Sequence, residues 1–381
     1  MKSLLALAFL ATACLAPALS AEPGNEVVLT IPSTAEHPRN SEGSFVTLKS
    51  GRIEFYYSQF YGGSGDDSRG RIVEIHSDDG GRTWSSPLLK VDNQGLVNVM
   101  SVSLLRLASG KIALFYSVKR TGWTDCRIYF RLSPDEGATW SEAAQVGDAP
   151  PSWFVLNNDR VIQTRTGRLI APLAQHRITG TKDVIASWDH RAITLWYLSD
   201  DEGAHWREAK TWWALPVATG SGLQEPGVVE LADGSLFGWS RTDHGEQWSF
   251  RSQDNGETWS QPEPTELKSP TSPACIKRLP KSGTLLAIFN DHSGRFPYPQ
   301  GKAHAEARTP LVAALSFDGG RTWPARRLVE GDPAFNYHYC AIAFVDDAVL
   351  LGYSLNRIGS AHQGNLRLRR LALSWLPVGP P

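Results

Sequence analysis

The chain is 381 residues long and carries 38 Lys and Arg against 39 Asp and Glu, a net charge of −1. So even a balance implies no nucleic-acid or anionic-membrane partner, although a local group of arginines can still serve a small anionic ligand. Four Cys without paired spacing support neither a disulfide framework nor a zinc site, and no metal or other cofactor is implied.

In chain order, the first element reads as a secretory leader: Lys2, an apolar run from Leu4 to Leu15, Pro17, and the small residues Ala18, Ser20 and Ala21. The run is too short to span a bilayer, so cleavage near Ser20 or Ala21 is expected rather than a retained anchor. That expectation places the protein in the periplasm or outside the cell. Ala11-Thr12-Ala13-Cys14 offers a lipoprotein acceptor as the alternative, but it lacks the usual Leu three places before the Cys. Removing residues 1–21 leaves 37 basic and 39 acidic side chains. It also leaves Cys126, Cys275 and Cys340, for which one bridge plus one free thiol stays open. No linker or charge block divides residues 22–381, which read as one large repetitive domain.

One motif recurs five times: Ser77 to Trp84, Ser133 to Trp140, Ser199 to Trp206, Ser252 to Trp259 and Ser316 to Trp323. Its form is S-x-D-x-G-x-T-W, with His205 once in place of Thr, and successive starts lie 56, 66, 53 and 64 residues apart. That spacing fits one four-stranded antiparallel sheet per repeat. The Asp carboxylate accepts N–H bonds across a tight turn, Gly supplies a positive φ, and Trp packs on the sheet. A dipeptide turn feeds a strand in each repeat as well: Ser50-Gly51, Ser109-Gly110, Thr166-Gly167, Asp233-Gly234, Ser282-Gly283 and Asp346-Asp347. Six such turns beside five boxes predict an all-β, six-bladed propeller. Its last blade is completed by an N-terminal strand around Val27 to Ile31, which removes the free edges.

These boxes resemble the Asp boxes of the sialidase superfamily, whose repeats are also called BNR repeats, and the resemblance covers essentially all of residues 22–381. It implies a glycan substrate. Such propellers also include other glycosidases, polysaccharide lyases and binding proteins, so the chemistry must come from other residues. In sialidases three arginines grip the sugar carboxylate, a task suited to a planar fork of donors. Arg39, in His37-Pro38-Arg39-Asn40-Ser41-Glu42, matches the first. Gly222 to Leu231 followed by Trp239-Ser240-Arg241 is similar to the segment supplying a buried glutamate and the second arginine, here Glu225 and Arg241. Arg308 is similar in placement to the third, with Arg295 as competitor.

Sialidases attack with a tyrosine activated by a glutamate, which avoids bringing a carboxylate nucleophile to an anionic sugar. Asn336 to Ile342 resembles the nucleophile strand, with Tyr337 as first choice and Tyr339 as second. The acid/base aspartate belongs on a loop of the first blade, where Gly62 to Ser68 offers Asp67 or Asp66. The resemblance therefore implies exo-acting hydrolysis of a terminal anionic sugar, sialic acid by default, with retention.

Other readings stay open from residues alone. Glu225 before Pro226 serves equally as a turn cap, and Tyr337 and Tyr339, two apart on a strand, serve equally as core aromatics. The quartet Asn157-Asn158-Asp159-Arg160 reads either as substrate-binding at the propeller mouth (Asn158, Asp159, Arg160) or as a turn lock. Asn98 with Ser101, Lys119 with Arg120, and Cys126 with Arg127 hold similar positions. His176, His244, His292 and His338 lie near strand ends, His338 being a candidate substrate contact. Several His around one mouth would suit a lyase acting on a uronate glycan. A non-catalytic glycan-binding propeller is the third reading.

Overall fold

The computed structural model describes residues 22–94, 96–148, 151–280, 282–299, 306–360 and 364–378. The leader and Cys14 lie outside these. Strands group into six blades. Blade I is Arg39–Thr47, Ile53–Tyr61, Arg69–Ser77 and Leu88–Val91; blade II is Asn98–Arg106, Ile112–Lys119, Cys126–Ser133 and Ala144–Gln145. Blade III has a broken inner strand, Trp153–Val155 and Ile162–Gln163, before Leu169–Ile178, Trp188–Ser199 and Arg207–Glu208. Blade IV is Gln224–Glu230, Leu236–Arg241, Glu246–Ser252 and Glu263–Lys268; blade V is Cys275–Arg278, Leu285–Asn290, Leu311–Ser316 and Ala325–Glu330. Blade VI is Phe335–Val345, Ala348–Arg357 and Asn365–Ala372, completed by Asn25–Ile31, which pairs antiparallel from Asn25 opposite Leu371 to Ile31 opposite Leu366.

The residue pattern explains the ring. Strands near the axis are apolar on both faces because each face packs on a different neighbour. Within the second strand of blade I, Phe55 and Tyr57 join the cluster shared with blade VI, while Tyr56 between them joins the cluster shared with blade II. Successive clusters join blades II and III, III and IV, IV and V, and V and VI. Packing thus closes the circle. Neighbouring blades also touch through single parallel pairs, Gly70 with Asn98, Cys126 with Trp153, Ala192 with Gly222, and Gly364 with Arg39.

Each box connects the third strand of a blade to its fourth. In the first, Asp79 accepts from the backbone N–H groups of Arg82 and Thr83 at 2.9 Å and from Thr83 Oγ1 at 2.6 Å, while Ser77 Oγ accepts from Gly81 N at 2.9 Å. His205 substitutes for Thr through Nδ1, 2.6 Å from Asp201 Oδ2. Blade VI carries no box because that connection is where the chain ends meet, so five boxes accompany six blades. Trp259 and Trp323 are buried, whereas Trp84, Trp140 and Trp206 are half-buried. The dipeptide turns join first to second strands, with φ near +90° at Gly51, Gly110, Gly167 and Gly234, and Asp346 itself left-handed at 43°. Antiparallel order puts boxes and dipeptide turns at one end of the barrel of blades. The opposite end holds the starts of the first strands and the ends of the second.

Candidate active site

That opposite end is a cleft of about 670 Å³, lined by Arg39, Asp66, Asp67, Arg308, His338 and Tyr339 among others. A narrower annex of about 110 Å³ shares Asp66, Trp123 and Tyr339 with it and adds Glu42, Lys119, Glu225 and Arg241. Arg39 starts the first strand of blade I, Arg241 ends the second strand of blade IV, and Arg308 precedes the third strand of blade V. Strand ends from three blades therefore bring the three arginines to one mouth.

Backbone geometry aims the other groups. The inner strands of blades I, II, IV and VI each slip register, between Ser41 and Ser44, Met100 and Ser103, Gln224 and Gly227, and His338 and Ala341. Within each slip one non-glycine residue is left-handed: Glu42 at 55°, Ser101 at 60°, Glu225 at 47° and Tyr339 at 57°. A bulge of this kind re-aims a side chain, and a non-glycine residue there costs of order 1–3 kcal/mol. All four line the annex. Their strain is thus concentrated around one pocket.

The bulge also separates the two tyrosines. Tyr337, the first choice as nucleophile, lies in the core between blades V and VI, 1% exposed, with its ring 6.3 Å from that of Tyr353. Tyr339 faces the cleft. Burial, with Glu225 nearby, holds its hydroxyl above the usual value, against the pull of Arg308 and Arg241. The guanidinium of Arg308 lies 5.5 Å over its ring.

Arg241 Nη1 is 3.0 Å from Glu225 Oε2, an ionic contact without hydrogen-bond alignment, and Arg241 is aligned instead on Gln224 Oε1 at 2.9 and 2.6 Å. Burial pulls Arg241 down, but Glu225 and Tyr339 outweigh it and keep the guanidinium above its usual value. Arg39 Nη1 donates to Asp66 Oδ1 at 2.6 Å, and its guanidinium stacks 4.4 Å over Phe60. The loop bearing Asp66 and Asp67 is fastened to blade II: Asn98 Nδ2 and Lys119 Nζ both donate to the Asp66 carbonyl at 2.8 Å. Both carboxylates line the cleft, and only Asp66 also reaches the annex. Arg308 Nη2 donates to the Thr271 carbonyl at 3.1 Å. Arg295, its competitor, is engaged with the Pro324 carbonyl outside the cleft.

The polar quartet of blade III does not line the mouth. Asn158, Asp159 and Arg160 are buried and form a peg across the propeller axis. Asp159 accepts from Ser44 Oγ of blade I at 2.9 Å, Lys277 Nζ of blade V at 2.7 Å and Ile342 N of blade VI at 2.9 Å. Asn158 Nδ2 donates to the carbonyls of Gly43 and Tyr339, and Arg160 Nη2 to that of Ala274. The peg exists because the inner strand of this blade breaks, leaving the loop's polar groups to be satisfied by neighbouring blades. The turn-lock reading thus describes these residues, and a substrate-contact role for them does not fit the structure.

His338 lines the cleft with Nε2 2.9 Å from Asn356 Oδ1, and His176 lines the annex. Burial drives His338 down to about 3, helped by Arg308, and His176 down to about 4. His244 and His292 point instead to backbone carbonyls of Ala218 and Ala307. Glu42 is a further carboxyl group at this mouth, one that the sequence did not single out. It sits in the annex, 3% exposed.

Converging arginines, a buried carboxylate beside a tyrosine and a loop aspartate thus share one cleft at the mouth of an Asp-box propeller. A protein-family model described as "BNR repeat-like domain" matches residues 97–351. The chain belongs to that family. It is 31% identical over 171 residues to the anhydrosialidase of Macrobdella decora, covering 43% of this chain and 19% of that protein. It is 26% identical over 290 residues to a sialidase of Micromonospora viridifaciens, covering 68% and 41% respectively. The chain thus spans less than half the length of these curated relatives. Among solved structures, a sialidase of Streptococcus pneumoniae superposes with a TM-score of 0.71 at 14% identity, covering 93% of this chain and 71% of that one. An intramolecular trans-sialidase of Ruminococcus gnavus, bound to oseltamivir carboxylate, superposes with 0.70 at 17% identity, covering 95% and 100%. These likenesses show the sialidase-like propeller fold.

Proposed function

We propose that this protein is an exported, exo-acting glycoside hydrolase of sialidase type that releases a terminal anionic sugar, sialic acid by default, with retention. The observation that carries this reading is Tyr339, turned by its bulge into the cleft beside Glu225 and the three arginines. Arg39, Arg241 and Arg308 hold the sugar carboxylate. Tyr339 Oη attacks the anomeric carbon and gives its proton to Glu225, while Asp66, or Asp67 beside it, protonates the departing oxygen. Water, deprotonated by the same aspartate, then attacks the anomeric carbon. The tyrosyl oxygen leaves and recovers its proton from Glu225. A hydroxyl held above its usual pKa is protonated at rest, so it needs a base such as Glu225.

A lyase on uronate glycans would require a strong proton acceptor in the cleft, and histidines held near 3 and 4 are weak bases. Among the described residues no helix is long and apolar enough to cross a membrane, and export rests on the leader pattern alone.

Mass spectrometry after incubation with a 2,3-difluorinated sialoside tests the mechanism. The label is expected on Tyr339, lost in Tyr339→Phe and kept in Tyr337→Phe. An unlabelled protein that also releases nothing from a panel of sialosides defeats the reading, and an unsaturated product absorbing in the near ultraviolet replaces it with the lyase.

A further inference from the structure

We propose that the annex beside Tyr339 is a subsite for a hydroxyl-bearing substituent of the sugar, read by the Glu42 carboxyl group and the Ser117 hydroxyl. This rests on the reading of the mouth as a glycan-binding active site and adds what enters the second compartment.

Two atoms of the annex carry the argument. Glu42 Oε2 and Ser117 Oγ are buried without a hydrogen-bond partner, on residues each 3% exposed. Buried polar atoms are nearly always paired in a folded protein, so two orphans on one small pocket indicate groups that a ligand completes. Neither is a leftover of crowding, since both residues line open space. Glu42 Oε1 is used differently, 3.4 Å from Arg39 Nη2, which leaves the second oxygen free to face the pocket.

The surroundings select the ligand chemistry. Burial, with Asp66 and Glu225 adding to it and Arg39 and Lys119 opposing it, raises Glu42 to about 7. Near neutral pH the group both donates and accepts, as does the serine hydroxyl, and a ligand hydroxyl is the partner that answers both. Lys119 and Arg241 line the annex as well, but Glu42, Asp66 and Glu225 balance them, so it has no surplus of positive charge to select an anionic substituent. An apolar acyl group would leave both orphans unpaired. The volume of about 110 Å³ accommodates a substituent of roughly three or four heavy atoms, at about 30 Å³ each. One wall is Trp153, whose ring is held by Lys119 Nζ at 5.2 Å and by Trp123 stacked 6.3 Å away, so this side of the annex is fixed in shape.

Calorimetric titration of the intact protein at pH 7 tests this with 2,3-dehydro sialic acid and analogues that each lack one hydroxyl or have a shortened side chain. Wild type is expected to bind one analogue at least about tenfold more weakly than the parent, since a site built to bind a hydroxyl rejects the compound lacking it. Glu42→Ala and Ser117→Ala should bring that ratio close to one. Glu42→Gln keeps a donor and an acceptor and should retain part of the discrimination, and it covers the case in which Glu42→Ala does not fold. Equal weakening of every probe in the Glu42 variants would assign the residue to holding Arg39 and overturn the subsite, as would a wild type indifferent to every deletion. If wild type binds no sialic-acid probe, the sialidase reading falls. The same comparison with glucuronic acid and its monodeoxy analogues then decides the subsite, and binding by none of them overturns it as well.

Discussion

Asp159→Ala separates a structural peg from a substrate contact. The carboxylate receives Ser44 Oγ, Lys277 Nζ and Ile342 N within 2.9 Å, and more weakly Cys275 Sγ at 3.8 Å. Its loss leaves the Ile342 N–H without an acceptor, at about 1–3 kcal/mol. It also strands the Lys277 ammonium, and breaking a buried ion pair costs about 3–5 kcal/mol. The lower end applies, because the Lys277 side chain is 33% exposed and keeps the Ile342 carbonyl at 2.8 Å. The expected loss is therefore about 4 kcal/mol, a large share of the roughly 5–15 kcal/mol that holds a protein folded. Urea unfolding followed by tryptophan fluorescence measures it. Adding Lys277→Met removes the stranded charge and should restore about 1–2 kcal/mol. A loss under about 1 kcal/mol, or unchanged stability with lost ligand binding, would refute the reasoning and return Asp159 to the binding site.

Two further outcomes bear on the fold and its pH response. Asp318→Ala removes the acceptor of Arg321 N, Thr322 N and Thr322 Oγ1 and should cost about 1–2 kcal/mol in urea, with ligand affinity unchanged because the box lies at the end opposite the cleft. A loss of affinity without loss of stability would contradict that placement. His176 and His338 stay neutral in the fold while the unfolded chain protonates near 6.5, so their contribution is full above that pH and lost as pH falls towards 4 and 3. Glu42 acts oppositely, its contribution full below about 4.5 and lost as pH rises through 7. His292 is lowered by burial too, and Glu54 and Glu208 are raised by it, so the wild-type slope sums several groups. His176→Gln removes one rising contribution, and stability should climb less between pH 4.5 and 6.5 in that variant than in the wild type. Parallel profiles for the wild type and the variant over that range would refute it.

The propeller was legible because its turns are chemical: a carboxylate that caps backbone N–H groups and a glycine at positive φ leave the same letters in every blade. The arginines were legible through their order along the chain, and the structure brings Arg39, Arg241 and Arg308 to one mouth. Register was not. In a regular strand Tyr337 and Tyr339 share a face, but one left-handed residue between His338 and Ala341 sends the first into the core and the second into the cleft. The quartet at Asn157 misled for a different reason, since polar residues at an inner strand mark a buried hydrogen-bond hub as readily as a wet surface. A signal for Glu42 was present: Glu42, Ser101, Asp159, Glu225 and Tyr339 each stand seven or eight residues before their blade's dipeptide turn. Aligning the blades on those turns marks all five together.

The last blade has a consequence for how the ring comes into being. Its outer strand is donated from the other end of the chain, with Ser33 N bonded to Asn365 Oδ1 and Trp375 Nε1 to Glu22, contacts 332 and 353 residues apart. Blades I to V can assemble from neighbouring segments, but this clasp must wait until the final strands exist. Closing so long a loop costs only about (3/2)RT ln n in entropy, roughly 5 kcal/mol, hardly more than a loop half as long, so the delay is one of timing rather than of stability. Until then Asn365–Ala372 presents an unpaired edge, and a second, half-made copy carrying its own Asn25–Ile31 is the natural intruder. Swapped dimers joined at this seam are the misassembly to look for when the protein is refolded at high concentration.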